Sequence, residues 1–365
     1  MKILYVTTVG VAMSFYEKLT QQILDRGHSL DIATNQKVSD VQKFYHNAGC
    51  KVHQIDCSRS PLNTGNIRAI KQLSAIVEKG GYDIVHCHTP IAAACTRIAC
   101  RKARKKGTKV IYTAHGFHFY KGAPKKNWMI FYPIEKICSY YTDVLLTINK
   151  EDHALAQKKL KAKKTLLVPG VGVDLERFYK PSVHAYDKRA QFGIPDGSFV
   201  IFSAGELNKN KDHETVIRAI AQIPNVYYVI AGRGELKEHL ESVAETCGVK
   251  DRVILAGYRS DIDDLYKMSD IYALPSVREG LNVSVMEAMA CGLPCVLGRI
   301  RGNVDLIDDG KGGAFFTPQN VDECKNAILS VLNGDMDAMG TYNTEKVKKY
   351  SLDTVNEIML GLYGV

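Results

Sequence analysis

Short apolar runs rich in β-branched residues alternate with helix-period segments along almost the whole 365-residue chain. The first half contains seven such runs, at 2–8, 29–34, 51–56, 83–88, 109–114, 143–148 and 165–169. The second half restarts the rhythm with six more, at 198–204, 225–232, 252–257, 270–275, 294–298 and 313–317. This alternation predicts buried parallel strands covered by helices. Two successive series predict two α/β domains of the doubly wound, Rossmann-like type.

The predicted join lies at 168–188, a segment rich in glycine, proline and polar residues. We therefore expect a first domain over 1–170 and a second over 171–346, since 365 residues exceed what one hydrophobic core usually supports. Ligands of open α/β sheets bind beyond the carboxyl ends of the strands. Two such domains predict a substrate cleft between them.

The sequence lacks the motifs of several common classes of α/β protein. The turn after the first run carries a single glycine, Gly10, and AGRGEL at 231–236 also misses the G-x-G-x-x-G spacing of dinucleotide-binding proteins. There is no P-loop motif, which excludes a P-loop NTPase. No apolar run approaches the roughly 20 residues of a membrane-spanning helix, and we interpret the N-terminal apolar run as a strand rather than a signal peptide.

The ten cysteines are scattered without a C-x-x-C pair, so we expect reduced, buried side chains. The sequence His86-Cys87-His88 could begin a metal site, but no second cluster lies at ligand spacing, and we predict no structural metal. Asp261 and Asp263 could hold a divalent cation. They also open a helical run, where a cap by Ser260 or Asp261 is the favoured interpretation.

The net charge of +9 conceals an asymmetry between the two halves. Residues 1–181 carry 29 Lys and Arg against 13 Asp and Glu, or +16, which leaves −7 for 182–365. The basic excess concentrates in runs at 101–107, 121–128 and 158–164. An anionic partner is therefore expected for the first half, with nucleic acid, a membrane surface and a phosphorylated substrate all open.

The stretch REGLNVSVMEAMACGLP at 278–294 carries two carboxylates eight residues apart, Glu279 and Glu287. It follows the run at 270–275, so Glu279 to Asn282 should form a loop at the carboxyl end of a strand. Asn282 can cap the next helix, whose N-terminus suits a diphosphate, and Gly280 permits close backbone approach. Glu287, about one turn inside the helix, could accept hydrogen bonds from a ribose diol. The two acids therefore predict a nucleotide-sugar site.

This Glu-x7-Glu pair resembles that of retaining glycosyltransferase family 4, which has the GT-B fold. The segments at 168–178, 203–223, 231–236 and 255–276 also resemble that family in order, and 112–122, 133–136 and 147–157 resemble transferases of bacterial capsule and exopolysaccharide assembly. The resemblance covers essentially the whole chain. It implies two Rossmann-like domains facing each other across a cleft, with a C-terminal helix within 347–365 crossing back to the first domain.

The resemblance also implies roles for particular residues. Lys211 would neutralise the donor diphosphate, and His115 would lie beside the transferred sugar. Glu279 would bind sugar hydroxyls, and Glu287 would hold the ribose. Further donor contacts would come from Gly10, Gly205, Lys209, Arg233, Tyr258, Gly280, Leu281 and Asn282. The family mechanism retains anomeric configuration and needs neither a cofactor nor a metal.

One departure concerns the second phosphate-binding cation. Many family members carry an arginine where this chain has Glu206, so we expect Glu206 to point away or to be compensated by Lys209 or Arg233. The predicted activity is transfer of a hexose or N-acetylhexosamine from a UDP-sugar to a lipid-linked, polyprenyl-pyrophosphate saccharide. A nucleotide-sugar epimerase and an inactive partner subunit remain alternatives.

The basic first half, with Trp128 beside Lys125 and Lys126, suggests docking on an anionic membrane. Together with the predicted acceptor, it leads us to expect a cytoplasmic protein at the inner face of the cell membrane and no nucleic-acid partner.

Overall fold

A computed structural model describes residues 1–179 and 185–365. Their contacts form two compact units. The N-terminal unit comprises Met1–Gly172 and Asp353–Val365, and the C-terminal unit comprises Val173–Leu352. The predicted join at 168–188 lies partly outside the described residues.

The N-terminal unit is built on a parallel sheet. Its described strands are β1 (Lys2–Val6), β2 (Ser29–Thr34), β3 (Val52–Gln54), β4 (Ile84–His88), β5 (Lys109–Ala114), β6 (Val144–Thr147) and β7 (Lys164–Leu167). Its helices are α1 (Glu17–Asp25), α2 (Lys43–Asn47), α3 (Gly65–Gly80), α4 (Pro90–Ala99), α5 (Arg101–Lys105), α6 (Lys125–Ser139) and α7 (Lys150–Lys159), and a 3-10 helix covers Gly10–Tyr16. The strand order is β3-β2-β1-β4-β5-β6-β7.

The C-terminal unit repeats this architecture. Its described strands are β8 (Phe199–Ala204), β9 (Val226–Ala231), β10 (Val253–Gly257), β11 (Ile271–Leu274), β12 (Cys295–Gly298) and β13 (Gly313–Phe316), in the order β10-β9-β8-β11-β12-β13. Its helices are α8 (Leu175–Tyr179), α9 (Ala185–Gln191), α10 (His213–Ile220), α11 (Lys237–Thr246), α12 (Ile262–Lys267), α13 (Val283–Ala290), α14 (Asn303–Leu306), α15 (Val321–Leu332) and α16 (Met336–Val347). Two 3-10 turns cover Lys250–Arg252 and Lys348–Tyr350.

Burial explains why each apolar run forms a strand. Leu4, Val85 and Val110 come from three neighbouring strands and pack in one cluster with side chains of α3 and α4. Strands covered on both faces need continuous apolar runs, which is the pattern seen in the sequence. The predicted α/β class, with two doubly wound parallel sheets, is confirmed.

The strand order reverses once in each sheet, between β1 and β4 in the first and between β8 and β11 in the second. Loops that leave the carboxyl ends of such a strand pair diverge and open a crevice, which is where ligands bind in this architecture.

The last helix, α17 (Leu352–Tyr363), runs mostly within the N-terminal unit. There the amine of Lys109 donates to the carbonyl of Leu362 at 2.6 Å. Tyr363 is buried against the first sheet, with its hydroxyl against that of Tyr5. The distant C-terminus therefore completes the core below the first crevice.

The ten cysteines are free, as expected, and eight are buried, whereas Cys247 and Cys291 are partly exposed. In the part of the chain that the structure describes, no helix combines the length and apolar character needed to cross a bilayer.

Candidate active site

An ion pair lies at the crevice of the second sheet. Lys211, in the loop after β8, and Glu279, in the loop after β11, join Nζ to Oε1 at 2.8 Å. Both side chains are largely buried, with 16% and 17% of their surface exposed. Asn210 ties the two loops together, since its carbonyl accepts from Val277 N at 2.9 Å and its side-chain amide donates to the Arg278 carbonyl at 3.0 Å. The backbone thus brings Lys211 to Glu279.

Gly205 leaves the space that Lys211 occupies. A Cβ at this position would lie 3.1 Å from Cε of Lys211. Gly232, after β9, approaches the same loop, and a Cβ there would lie 1.8 Å from the carbonyl oxygen of Gly205. Both glycines therefore permit the loops after β8 and β9 to pack closely, and Gly205 lies beside the predicted phosphate-binding lysine.

The helix that follows Glu279 is capped as predicted. The Oδ1 of Asn282 accepts from the backbone N–H of Ser284 at 2.9 Å, and α13 begins at Val283. Gly280 and Leu281 lead into this cap. Gly302 (φ +83°) packs against them, because a Cβ there would lie 2.1 Å from the Gly280 carbonyl oxygen. No sequence pattern marked Gly302 as a support of this loop.

Glu287 lies on α13 with one carboxylate oxygen held by a tyrosine. The hydroxyl of Tyr266 donates to its Oε2 at 2.7 Å. Burial raises the pKa of Glu287 to about 7, and the bond from Tyr266 opposes this rise. The group therefore changes charge near neutral pH. Tyr266 was not predicted, since only the packing of α12 against α13 brings it to Glu287.

Arg233 and Tyr258 follow the adjacent strands β9 and β10. The guanidinium carbon of Arg233 lies 5.5 Å from the centre of the Tyr258 ring, which is 71% exposed. The two residues predicted to flank the base are therefore together, with an exposed aromatic face.

Lys209 is exposed and lines a different cleft of about 430 Å³, together with Asp212 and His239.

Glu206 is exposed, and its Oε2 accepts from the side-chain amide of Asn208 at 2.8 Å. Among the described residues it forms no ion pair with Lys209 or Arg233, so the remaining alternative for this residue is a carboxylate that points away from the diphosphate. The carboxylate of Glu206 is therefore held by a side-chain amide at the protein surface.

The expected helix cap at Ser260 or Asp261 is confirmed in position only. Asp261 occupies the N-cap position of α12, but its side chain makes no capping bond. Its Oδ2 instead pairs with Lys188 Nζ at 2.7 Å and Arg259 Nη2 at 2.5 Å, while Asp263 pairs with Arg177 at 2.9 Å. Over residues 1–179 and 185–365, no cluster of three or more His, Cys, Asp or Glu side chains suited to a metal occurs.

The crevice of the first sheet has a strained threonine. Thr89, directly after β4, has φ 61° and ψ 135°, a conformation that a β-branched residue rarely adopts. Its hydroxyl lies 2.8 Å from that of Thr8, after β1. Gly10 lies two residues after Thr8 in the chain, and a Cβ at this position would lie 2.5 Å from the backbone of Asp40. Gly10 is thus required for packing against the loop after β2.

Three histidines line the carboxyl edge of the first sheet. His115, directly after β5, has Nε2 3.3 Å from both Nδ1 of His88 and the hydroxyl of Tyr16. The ring of His88 packs on that of His86, with centroids 4.2 Å apart. Nδ1 of His86 lies 2.6 Å from the hydroxyl of Tyr363 on α17. The histidines form one connected array from the crevice to the C-terminal helix.

Burial keeps this array neutral. It lowers the pKa of His115 to about 4 and that of His86 to about 3, and it lowers the pKa of His88 well below the usual range. A neutral imidazole can donate one hydrogen bond and accept another, which suits contact with sugar hydroxyls. The sequence motif at 86–88 is therefore part of an aromatic and hydrogen-bonded array.

A second feature of the first crevice is a cleft of about 490 Å³ beyond β1, β2 and β3. It is lined in part by polar and cationic side chains, namely Asn35, Lys37, Asp56, Arg59, Asn63 and Arg68. Lys37 pairs with Asp56 at 3.1 Å, whereas Arg59 is exposed. This cleft offers both hydrogen-bonding groups and positive charge.

Two parallel-sheet units, each with polar and ionic loops at its switch point, define a GT-B glycosyltransferase. The family described as "Glycosyl transferase 4-like" matches residues 2–149, and that described as "Glycosyl transferases group 1" matches residues 186–347. The chain belongs to glycosyltransferase family 4, as its sequence motifs indicated.

Relatives support this assignment. A Bacillus subtilis protein described as "Putative glycosyltransferase EpsD" is 40% identical over 265 residues, covering 71% of this chain and 70% of that protein. A UDP-Gal:alpha-D-GlcNAc-diphosphoundecaprenol alpha-1,3-galactosyltransferase of Escherichia coli is 32% identical over 287 residues, covering 74% of this chain and 73% of that protein. The structure of Anabaena HepE in complex with UDP has the same fold, with a TM-score of 0.82, 21% identity and complete coverage of both chains. The protein is therefore a glycosyltransferase.

Proposed function

We propose that this protein transfers a hexose or N-acetylhexosamine from a UDP-sugar, with retention of configuration, to a lipid-linked saccharide. The ion pair between Lys211 and Glu279, beside the capped N-terminus of α13, carries the donor half of this proposal. A cation and free backbone N–H groups at one switch point suit a diphosphate. The carboxylate beside them suits the hydroxyls of a sugar attached to it.

Binding of the donor breaks the ion pair between Lys211 and Glu279 and gives each side chain a new partner. The diphosphate replaces Glu279 as the partner of Lys211, and the released carboxylate accepts hydrogen bonds from the sugar. Glu287 holds the ribose through the oxygen that Tyr266 leaves available. The exposed ring of Tyr258, with Arg233 beside it, packs against the uracil. The HepE complex and the name of the E. coli relative support UDP as the nucleotide.

The proposed chemistry is a same-face substitution at the anomeric carbon. The bond from that carbon to the β-phosphate oxygen breaks, and a bond to the acceptor hydroxyl oxygen forms. The acceptor proton passes to the departing phosphate oxygen, so no residue forms a covalent intermediate. Lys211 and the N-terminus of α13 stabilise the charge that develops on UDP, and neutral His115 contacts the transferred sugar. Lys211 and the helix N-terminus supply the positive charge, so the proposed reaction needs no metal ion.

The acceptor is a saccharide on a polyprenyl pyrophosphate. The E. coli relative acts on GlcNAc-diphosphoundecaprenol, which supports this class of acceptor. The cleft beyond β1, β2 and β3 would bind it, with Asn35 and Asn63 for sugar hydroxyls and Arg59 and Arg68 for phosphate. A membrane-borne acceptor also accounts for the basic N-terminal half and for the expected location at the inner face of the cell membrane.

Two measurements test this proposal. Thermal shift with UDP-glucose, UDP-galactose, UDP-N-acetylglucosamine and UDP-N-acetylgalactosamine should identify one preferred donor. Release of UDP from that donor should then require a polyprenyl-diphosphate-linked saccharide, and NMR of the product should show the donor's anomeric configuration. Sugar isomerisation without an acceptor would indicate an epimerase instead. Absence of both reactions, with intact donor binding, would indicate an inactive partner subunit.

A further inference from the structure

Helix α6 exposes apolar side chains along the side that faces away from the core. Met129 is 76% exposed and Ile137 is 58% exposed, and Ile130 and Pro133 are exposed beside them. Tyr140, just after the helix, is 56% exposed. At 100° per residue these five positions lie within about 100° of one another around the helix axis. They form one apolar stripe that nothing in the described chain covers.

The opposite side of α6 is an ordinary core face. Trp128, Phe131 and Tyr132 pack against the hydrophobic core of the N-terminal unit. The indole N–H of Trp128 donates to the Tyr120 carbonyl at 3.2 Å, so this ring is engaged within the protein. Trp128 therefore packs partly against the core, and the helix turns Met129 and Ile137 outward instead.

Cations stand at both ends of the stripe. Lys125 and Lys126 are exposed in the first turn of α6. At the other end, Tyr140 joins the stripe to a cleft of about 600 Å³. Besides Tyr140, this cleft is lined by Arg101, Lys102, Arg104, Lys105, Tyr141 and Lys163.

Few acids balance these cations. Residues 97–142 contain eleven Lys and Arg against one acid, Glu135, which is buried with Arg97 Nη1 2.9 Å from its Oε2. Asp143 forms ion pairs with both Arg104 and Lys163. Its Oδ2 lies 2.9 Å from Arg104 Nε, and its Oδ1 lies 2.8 Å from Lys163 Nζ. Among the described residues, Lys102, Lys105, Lys125 and Lys126 form no ion pair. Their charge is available to a partner.

We propose that this surface docks on an anionic phospholipid bilayer with α6 lying in the plane of the interface. The docking face consists of Met129, Ile130, Pro133, Ile137 and Tyr140 with the cations Lys102, Lys105, Lys125 and Lys126. The apolar stripe enters the boundary between headgroups and acyl chains, and the cations contact lipid phosphates. A second copy of the chain would bring like charges together around the stripe, and nucleic acid would leave the apolar residues in water.

The docking face would bring a lipid-linked acceptor close to the active site. This role of the face rests on the proposed function. Helix α6 is 15 residues long, or about 22 Å, and follows the loop that carries His115. The ring of His118 in this loop stacks on Phe131 of α6, with centroids 4.4 Å apart. A bilayer along α6 therefore lies beside the carboxyl edge of the first sheet. A saccharide anchored in that bilayer reaches His115 without leaving its lipid.

Vesicle binding by the full chain tests the docking face. Vesicles of equimolar phosphatidylglycerol and phosphatidylcholine are compared with pure phosphatidylcholine by co-sedimentation. Replacing Lys102, Lys105, Lys125 and Lys126 with Gln should weaken binding to the anionic vesicles by about 600-fold at low salt, since each cation contributes about fivefold. The variant Met129→Ser/Ile137→Ser should weaken it by about tenfold at every salt concentration, because burial of apolar surface is not screened.

Matched control variants show whether the position of the replaced residues matters, or only the loss of charge or apolar surface. One control replaces four exposed lysines elsewhere, namely Lys71, Lys79, Lys237 and Lys250, with Gln. The other is Ile67→Ser/Ile358→Ser, which removes two exposed apolar side chains elsewhere in the N-terminal unit. Both apolar variants lose exposed apolar surface, but the control loses it outside the docking face. The control should therefore keep nearly the wild-type affinity for vesicles. Equal losses in test and control variants would overturn the docking face.

Two further readings distinguish failure of docking from failure of the proposed function. With a detergent-soluble acceptor, all docking-face variants should retain the wild-type rate, and only transfer to vesicle-borne acceptor should fall. Vesicle binding without any transferase activity would reject the function and keep the docking face. Light scattering that shows a dimer lost in Met129→Ser/Ile137→Ser, with unchanged vesicle binding, would instead make this face a self-association surface.

Discussion

Nζ of Lys211 lies 2.8 Å from Oε1 of Glu279, although 68 residues separate the two in the chain. The two charges neutralise each other inside a largely buried crevice. In the proposed function, a donor diphosphate would displace the carboxylate, which would then lie beside the sugar.

The ion pair predicts non-additive effects on stability. Lys211→Gln or Glu279→Gln alone should lower the free energy of unfolding by about 1–3 kcal/mol, because each leaves a largely buried charge without its partner. The double variant should be less destabilised than the sum of the two. Urea denaturation of the four proteins gives the coupling energy, and strictly additive losses would mean that the pair does not interact in solution.

The two glutamates should differ in kinetics. Glu287→Gln should weaken UDP binding by about 10- to 150-fold, because a charged hydrogen bond to the ribose is lost. Glu279→Gln should keep the affinity for UDP, since Lys211 is then free of its carboxylate. Its kcat should fall by about 10²–10³, the scale expected for one preorganised stabilising group. Calorimetry with UDP and steady-state kinetics decide the matter, and the reverse pattern would invert the proposed donor orientation.

The raised pKa of Glu287 predicts that UDP affinity depends on pH. With a pKa of about 7, the carboxylate that accepts from the ribose is about one-tenth populated near pH 6 and about nine-tenths near pH 8. The dissociation constant should thus fall about tenfold over this interval. Glu287→Gln lacks this titration but shares that of UDP itself, so the ratio of the two proteins isolates the glutamate. A ratio that does not vary with pH contradicts the proposed role.

Buried neutral histidines predict a loss of stability in acid. The pKa of His86 is about 3 in the folded protein and about 6.5 when unfolded, so below pH 6.5 the unfolded chain binds the extra proton. Lowering the pH from about 7 to about 5 should therefore cost about 2 kcal/mol through His86 alone. Glu287, whose pKa is raised, opposes the histidines over this range.

His86→Asn provides the measurement for this effect. Its free energy of unfolding should change with pH by about 2 kcal/mol less than that of the wild type between about pH 7 and pH 5. Urea denaturation at several pH values gives both slopes. Identical slopes would show that His86 is charged, or solvated, in the folded protein.

Much of the architecture could be predicted because its causes are local. The alternation of apolar runs and helix-period segments indicated all thirteen described strands. The cap at Asn282 and the helix that begins at Val283 depend on neighbouring residues, and both predictions are confirmed. The family motif also identified Lys211 and Glu279, which the folded chain brings together.

The sequence predicts less well where a side chain has a choice of partners. Asp261 could cap its own helix, but Lys188 and Arg259 lie within reach and bind the charge instead. Trp128 lies among lysines in the sequence, yet the helical rotation turns it partly against the core and exposes Met129. Local pattern does not contain the information that decides such choices.

The sequence by itself determined the two sheets, their helices and the acids of the proposed nucleotide-sugar site, because hydrophobic periodicity and capping act over a few residues. Only the tertiary structure decided that Tyr363 meets His86, that Tyr266 holds Glu287, and that Gly302 supports the loop at Gly280. These contacts depend on strand order and helix packing, which bring together residues up to 277 positions apart. No local periodicity specifies such distant pairs.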